Sequence, residues 1–385
     1  MSPPDQLSSR IHIPQEIYDL IIYHAKPDLA SLYTLCLVSS TFLPQAQRTL
    51  YKDLNISDDE FALCSGWLID AKRARLLFRT LTNHNPSLCK YVRSLYHRLA
   101  SHQDTIDRLY WKLFQQTLQL LTHLKRLTIT CINPLPDLYA ECSFHLEVFG
   151  SDRACDEPAV HEATLKHLAS QKKLRSLYAW RLFREEGEKL PIWFCPDLEA
   201  LTGDRKTIEG ILPGRSVSRL TWIPDADEDS LTPPLRIATE FSNLRVLSLG
   251  GYYKRPCLRV VIPYLPSLEV LRLFGETREM NLLDELALIS GLSNLRVFIW
   301  TAGFATSVKW LYFGNLGDKA GIEVQHKLVN DWFFKSRTLE MAYFHAHKPR
   351  LQAQAYFRWK RGEDEPTEVS YNEAVESHDV VSWYS

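Results

Sequence analysis

The sequence predicts an α/β solenoid, in which parallel strands are backed by helices, with a short helical module before it and a strand and hairpin after it. Three observations support this fold class. A four-residue frame, apolar-x-x-apolar, recurs nine times from residue 92 to residue 298, at intervals of 19 to 32 residues. Amphipathic helical segments lie between the frames, near residues 104–121 and 281–290. Apolar residues at helical spacing precede the first frame.

The N-terminal part is predicted to be a polar, disordered stretch over residues 1–9 and a module of three short helices over residues 10–60. Pro14 suits the first turn of a helix, and the helix dipole favours an acid such as Glu16 there. Apolar residues follow at i, i+4, i+7 and i+8, namely Ile13, Ile17, Leu20 and Ile21. Helices this short cannot bury all these side chains among themselves, so some must face a partner or the rest of the chain.

The repeat body is predicted to cover residues 61–301, with a connecting helix at residues 66–82. Each frame reads as a strand whose fourth and sixth positions point into the core, because side chains alternate along a strand. The third, fifth and seventh positions then form an open face of the sheet. The frames begin at Val92, Leu124, Leu146, Leu174, Leu198, Val217, Leu244, Leu268 and Leu295. Strand followed by helix at roughly 20–29 residues per unit resembles the leucine-rich repeat, although the Asn usual in that motif is missing.

Residues 302–385 are predicted to cap the solenoid, because the frame fails after Leu295 and a repeat array needs atypical ends. Residues 302–335 contain four glycines and are expected to be irregular. A strand near residues 339–347 and a hairpin turned at Gly362–Asp364 should follow.

The N-terminal module resembles the F-box motif. Ile13-Pro14-x-Glu16-Ile17 and then Leu35-Cys36-x-Val38-Ser39-x-x-Phe42 are similar to the family's Leu-Pro-x-Glu and Cys-x-Val-Ser-x-x-Trp elements. Ile13 stands in place of Leu, and Phe42 stands in place of Trp. An F-box-like start with irregular repeats and a hairpin-like end is similar to many fungal F-box proteins.

The resemblance implies that this module binds a Skp-family adaptor and, through it, a cullin of a ubiquitin ligase. The residues that would face the adaptor are Ile13, Pro14, Ile17, Leu20, Ile21, Leu35, Val38 and Phe42.

Composition and motifs give no indication that the protein binds nucleic acid, a membrane, a metal ion or a cofactor. The chain has 45 basic and 46 acidic residues, and no apolar run reaches the ~20 residues needed to span a bilayer. The polar N-terminal stretch has no apolar region typical of a secretory signal. Eight scattered cysteines without a C-x-x-C spacing indicate free thiols and a cytoplasmic or nuclear location. His345-x-His347 lacks further ligands nearby, and the acidic run at residues 225–229 lacks the glycine of a calcium loop.

The expected function is therefore that of a substrate receptor in a Skp–cullin–F-box ubiquitin ligase, which is not itself an enzyme. The alternative is a repeat scaffold whose N-terminal helices only cap the solenoid, and a dispersed catalytic site is a third hypothesis. An unknown protein target would contact the open face, at Tyr178, Trp180, Arg272 and Phe274. Alternatively, the C-terminal segment folds over that face and buries these residues.

Overall fold

The computed structural model describes most of the 385-residue chain. The described residues are 14–25, 29–57, 70–99, 107–130, 135–151, 158–183, 188–224, 237–250, 255–275, 277, 282–301, 319–346 and 355–378. The disordered stretch predicted for residues 1–9 and the start of the connecting helix lie outside these residues.

Three helices open the described chain: α1 (Gln15–Ala25), α2 (Leu29–Val38) and α3 (Leu43–Lys52). Pro44 lies in the first turn of α3, where its missing N–H leaves no helical hydrogen bond unmade. The chain passes directly from α3 into the first strand, β1 (Asp53–Ser57). The sheet therefore begins inside the range 10–60 that the sequence assigns to the helical module.

Strands and helices then alternate. The further strands are β2 (Ser94–Arg98), β3 (Arg126–Thr130), β4 (Val148–Ser151), β5 (Ser176–Ala179), β6 (Ala200–Gly203), β7 (Arg219–Trp222), β8 (Val246–Gly250), β9 (Val270–Phe274), β10 (Val297–Thr301), β11 (Met341–Ala346), β12 (Ala355–Lys360) and β13 (Thr367–Ser370). The further helices are α4 (Ala71–Arg79), α5 (Arg108–Leu120), α6 (Pro158–Ser170), α7 (Arg205–Ile211), α8 (Ala238–Phe241), α9 (Leu258–Val261), α10 (Leu282–Ala287), α11 (Lys319–Lys335) and α12 (Tyr371–Ala374). Short 3-10 turns lie at Pro86–Tyr91, Ile262–Tyr264, Leu288–Gly291 and Glu376–His378, and a π turn lies at Thr80–His84.

The thirteen strands form one sheet whose spatial order is the order of the sequence. Strands β1 to β11 are parallel to one another, whereas β12 is antiparallel to β11 and β13 is antiparallel to β12. The prediction of an α/β fold, with parallel strands alternating with helices in a solenoid-like arrangement, is confirmed.

The fourth position of the frame forms a continuous column of buried side chains. Register pairs each of these residues with its counterpart on the next strand, from Leu54 on β1 to Trp359 on β12. Between them lie Leu95, Leu127, Phe149, Leu177, Leu201, Leu220, Leu247, Leu271, Phe298 and Ala342. We call this set the leucine column. All its members belong to the main hydrophobic core between the sheet and the helices.

The predicted cap is shorter than residues 302–385. The helix α11 and the parallel strand β11 add a further helix–strand unit, in which Leu339–Ala342 supplies another frame. The expectation of an irregular segment was wrong for residues 319–335, because Val329 and Trp332 give α11 a buried face despite the nearby glycines. The predicted hairpin is present as β12 and β13, and Gly362 lies in its turn at a φ of +84°, which favours glycine.

A second column, of charged residues at the frame's second position, follows the solvent-exposed edge. The ion pairs Lys125–Glu147 at 2.6 Å, Arg175–Glu199 at 2.5 Å, Arg245–Glu269 at 2.7 Å and Arg296–Glu340 at 3.0 Å link neighbouring repeats. The hydrogen bond from Arg245 holds the pKa of Glu269 below its usual range. Opposite charges on adjacent strands favour the observed neighbours over a shifted order of repeats.

We expect replacement of Leu247, Leu271 or Phe298 by Ala to lower the free energy of unfolding by about 2–5 kcal/mol each, because these side chains are fully buried. Chemical denaturation of each variant measures the loss. Leu76→Ala is the control, because Leu76 is exposed on α4 and its truncation should change stability by less than about 0.5 kcal/mol. Control-sized losses at all three column positions would contradict the register.

Acid should destabilise the body through His167 on α6. This histidine stacks on the Tyr139 ring at 4.5 Å, and burial lowers its pKa to about 4. Above pH 6.5, the ordinary pKa of histidine, neither state is protonated and the stability is complete. As pH falls from about 6.5 to about 4, only the unfolded chain binds the proton, so the free energy of unfolding falls by roughly 3 kcal/mol. Denaturation across this range should show the loss in the wild type and in His123→Gln, an exposed control, and a smaller loss in His167→Phe.

Candidate functional sites

The first candidate site is formed by apolar side chains that α1 and α2 expose. On α1, Ile17, Leu20 and Ile21 are 44%, 52% and 39% exposed. On α2, Leu37 and Val38 are 70% and 66% exposed. Tyr23 and Tyr33 are exposed as well, and we call these seven residues the N-terminal apolar surface. Exposed apolar clusters of this kind mark interaction sites in soluble proteins.

The interior of the helical module is small. Ile22, Leu32 and Ala46 are its buried apolar residues, one from each helix. The Tyr18 and Phe42 rings meet edge to face, with centroids 4.8 Å apart. Most of the large apolar side chains that the structure describes on α1 and α2 therefore lie outside this interior.

The predicted adaptor-facing residues have different environments. Ile17, Leu20, Ile21 and Val38 belong to the N-terminal apolar surface, and Pro14 is exposed just before α1. Leu35 and Phe42 are half-buried. Ile13 lies outside the described residues.

Helix α3 joins this module to the sheet. It packs against the 3-10 turn Pro86–Tyr91, and the Lys52 carbonyl at its end accepts a hydrogen bond from the Arg93 N–H at 2.8 Å. One side of the module therefore contacts the first repeat, while the apolar surfaces of α1 and α2 remain exposed.

The second candidate site is the face of the sheet opposite the leucine column. On β5, Tyr178 is half-buried, and Trp180, just beyond the strand end, is half-buried too. The Arg181 guanidinium lies over the Trp180 ring, 5.1 Å from its centroid, and the Arg181 N–H donates to the Asp204 carboxylate at 3.2 Å. Asp204 also caps α7, and burial raises the pKa of its carboxyl. Tyr178 and Trp180 as contacts for a target stay a prediction.

The expectation that Arg272 and Phe274 are exposed is wrong, because they are only 4% and 6% exposed. The C-terminal segment Tyr371–His378 lies over this part of the face. Its Ala374 and Val375 belong to a second apolar cluster with Ile299, Tyr343 and Tyr356 of the sheet. The Tyr371 ring centroid lies 5.8 Å from the Arg272 guanidinium.

Polar contacts fix this covering segment. The Arg358 Nη1 donates to the Glu373 carboxylate at 2.6 Å, and a His378 ring nitrogen lies 3.1 Å from the Tyr343 hydroxyl. Beneath the segment, the Arg272 Nε donates to the Thr301 hydroxyl at 3.0 Å, and that hydroxyl lies 3.1 Å from the Tyr356 hydroxyl. The apolar spacing of Tyr371, Ala374 and Val375 was the sequence signal for this cover, but the direction in which the chain turns after β13 was not readable.

Groups for metal or thiol chemistry are not assembled in the described part of the chain. No group of three or more metal-ligating side chains occurs there, and His347 of the His345-x-His347 pair and the acidic run at residues 225–229 lie outside it. Cys36, Cys89, Cys142, Cys195 and Cys257 are free thiols, and burial raises the pKa of Cys142 and of Cys195 to about 12. Among the described helices, none is long and apolar enough to cross a membrane.

Comparison with known proteins leaves the family open. No protein-family model matches the chain, and no curated protein matches its sequence significantly. The functional argument therefore depends on the geometry of the two candidate sites.

Proposed function

We propose that this protein is the substrate-recognition subunit of a Skp–cullin–F-box ubiquitin ligase, with an F-box-like helical module and a leucine-rich-repeat-like body. The N-terminal apolar surface carries the proposal. Ile17, Leu20 and Ile21 follow the Pro14-x-Glu16 element that resembles the F-box motif, and Val38 lies in its second element. An adaptor seated on α1 and α2 would remove these side chains from water.

The alternative is a scaffold whose helices only cap the solenoid. It accounts for the packing of α3 against the body but not for the exposed apolar side chains of α1 and α2. A capping module buries its apolar side against the body, as α3 does at the 3-10 turn Pro86–Tyr91. Seven large apolar side chains of α1 and α2 are instead exposed, whereas Ile22 and Leu32 are buried. A partner surface explains this exposure, and capping does not.

The role of such a receptor is to bring two proteins together. The helical module fixes the chain to the adaptor and cullin, and the sheet face holds a target protein. A ubiquitin-charged enzyme elsewhere in the complex then meets a target lysine at high effective concentration. The receptor itself forms and breaks no covalent bond in this scheme.

Replacement of Ile17 and Leu20 by Asp should abolish binding of a purified Skp-family adaptor, because it places two charges in an apolar interface. Both side chains are exposed, so the fold should be retained. Binding is measured by titration calorimetry with the full chain, and circular dichroism checks the fold.

The matched control changes two exposed leucines of the body, Leu76 on α4 and Leu109 on α5, to Asp. This variant should bind the adaptor as the wild type does. Equal affinity of the Ile17/Leu20 variant and the wild type would contradict the binding surface. No binding by the wild type itself would favour the scaffold.

A further inference from the structure

The turns that precede strands β2 to β5 carry an excess of basic residues. In the first four frames, the two residues before the frame and its second and third positions include seven basic residues and one acidic residue. The same positions of the six later frames include five basic and four acidic residues. We call the seven basic residues of the first four frames the basic edge: Lys90, Arg93, Lys125, Arg126, Lys172, Lys173 and Arg175.

Main-chain hydrogen bonds place the second frame positions of these strands next to one another. The Lys125 N–H donates to the Arg93 carbonyl at 2.8 Å, and the Glu147 N–H donates to the Lys125 carbonyl at 2.8 Å. The Arg175 N–H donates in turn to the Glu147 carbonyl at 2.9 Å. At about 4.8 Å between strands, the basic edge extends roughly 14 Å from β2 to β5. The basic residues therefore form one continuous surface.

Pairing between repeats uses only part of this charge. Lys125 binds Glu147 at 2.6 Å, and Arg175 binds Glu199 at 2.5 Å. The Arg93 guanidinium donates to main-chain carbonyls. Within the described part of the chain, no ion pair includes the other five residues of the basic edge, which are Lys90, Arg93, Arg126, Lys172 and Lys173. All of these except Arg93 are exposed.

The far half of the same edge shows how much charge the order of the repeats requires. In the frames of β8 to β11, basic and acidic residues alternate at the second position, so that each basic residue meets an acidic one. In the basic edge, Arg93 and Lys125 instead place two positive charges on neighbouring strands, which is unfavourable for strand pairing. The excess of positive charge is therefore not explained by the stability of the repeat, whereas a bound anion explains it.

The face of the sheet beside the basic edge is accessible. The half-buried side chains at the third and fifth frame positions of β2 and β5 are Ser94, Tyr96, Ser176 and Tyr178. The same face is covered at β9, where Tyr371 lies over the buried Arg272. A segment of another protein can therefore contact the basic edge and the neighbouring face of β2 to β5 together.

We propose that the basic edge binds an acidic segment of a target protein. Carboxylates of such a segment form charge-assisted hydrogen bonds with the exposed guanidinium and ammonium groups. The length of the surface suits a short segment, because roughly 14 Å corresponds to about four extended residues at ~3.3 Å each. The proposal rests on the proposed function, which it deepens by naming the chemistry of the target.

A nucleic acid complements this surface less well than an acidic protein segment does. Asp197 and Glu199 belong to the frame that follows Arg175, so a phosphate backbone continuing past β5 would meet negative charge. The whole chain carries a formal net charge of −1, which gives no long-range attraction to a polyanion.

The test uses the full chain and three fluorescein-labelled probes. These are a decapeptide in which Gly alternates with Glu, the same decapeptide with Gln in place of Glu, and a ten-nucleotide oligothymidylate. Fluorescence anisotropy gives the dissociation constants. The Glu peptide should bind the wild type at least about tenfold more tightly than the Gln peptide, because several exposed ion pairs act together. Added salt should reduce this difference, because it screens exposed charges.

The test variant combines Arg126→Gln, Lys172→Gln and Lys173→Gln. It should bind the Glu peptide about tenfold more weakly than the wild type and the Gln peptide equally well. All three side chains are exposed, so the fold should be retained, and circular dichroism checks it.

The matched control loses the same charge from exposed positions on α4, α9 and α11, through Lys72→Gln, Arg259→Gln and Lys327→Gln. It should bind the Glu peptide as the wild type does. Equal binding of the Glu and Gln peptides, or an equal loss in the two variants, would overturn the proposal. Tighter binding of the oligothymidylate than of the Glu peptide would overturn it in favour of nucleic acid.

Adaptor binding separates this inference from the proposed function. Both variants should bind the adaptor as the wild type does, because their substitutions lie outside the N-terminal apolar surface. A wild-type chain that prefers the Glu peptide but does not bind the adaptor would count against the proposed function alone. A chain that binds the adaptor without preferring the Glu peptide would count against this inference alone.

Discussion

The leucine column is the constraint on which the remaining structure depends. Each repeat contributes one side chain to it, and register sets that side chain against its counterpart on the next strand. A shift by one residue would turn these side chains to the opposite face, because strand side chains alternate. The column therefore fixes register, the direction of the helices behind the sheet and the identity of the opposite face. The charged pairs at the second frame position add order at the exposed edge, where each contributes little alone.

Much of this fold could be predicted from the sequence, because each repeat is recognised from a pattern of apolar residues that are close together along the chain. The frames between residues 92 and 298 predicted strands β2 to β10 in order, and the fourth positions Leu247, Leu271 and Phe298 are buried as expected. The strand β11 was predicted near residues 339–347, but helix α11 and the continuation of the parallel repeat were missed, because Ala342 replaces the large fourth residue and four glycines precede the strand. A frame with a small residue at its key position loses the signal that identifies it.

The candidate sites were likewise predictable from the sequence only in part. The exposed stripe at Ile17, Leu20 and Ile21 follows from local spacing and could be predicted. The burial of Arg272 could not, because it depends on a contact with Tyr371, about one hundred residues away along the chain. The alternation of side chains along a strand predicts the side of the sheet on which Arg272 lies. It does not predict that the C-terminal segment covers that side.

The C-terminal part of the chain also determines how the sheet ends at β13. Strand β13 has only four residues, follows Pro366 and exposes Glu368, features that hinder pairing with another strand. The covering segment then leaves that edge and crosses onto the face, where Glu373 meets Arg358 and Tyr371 meets Arg272. The cap thus closes an edge and occupies part of a surface at once.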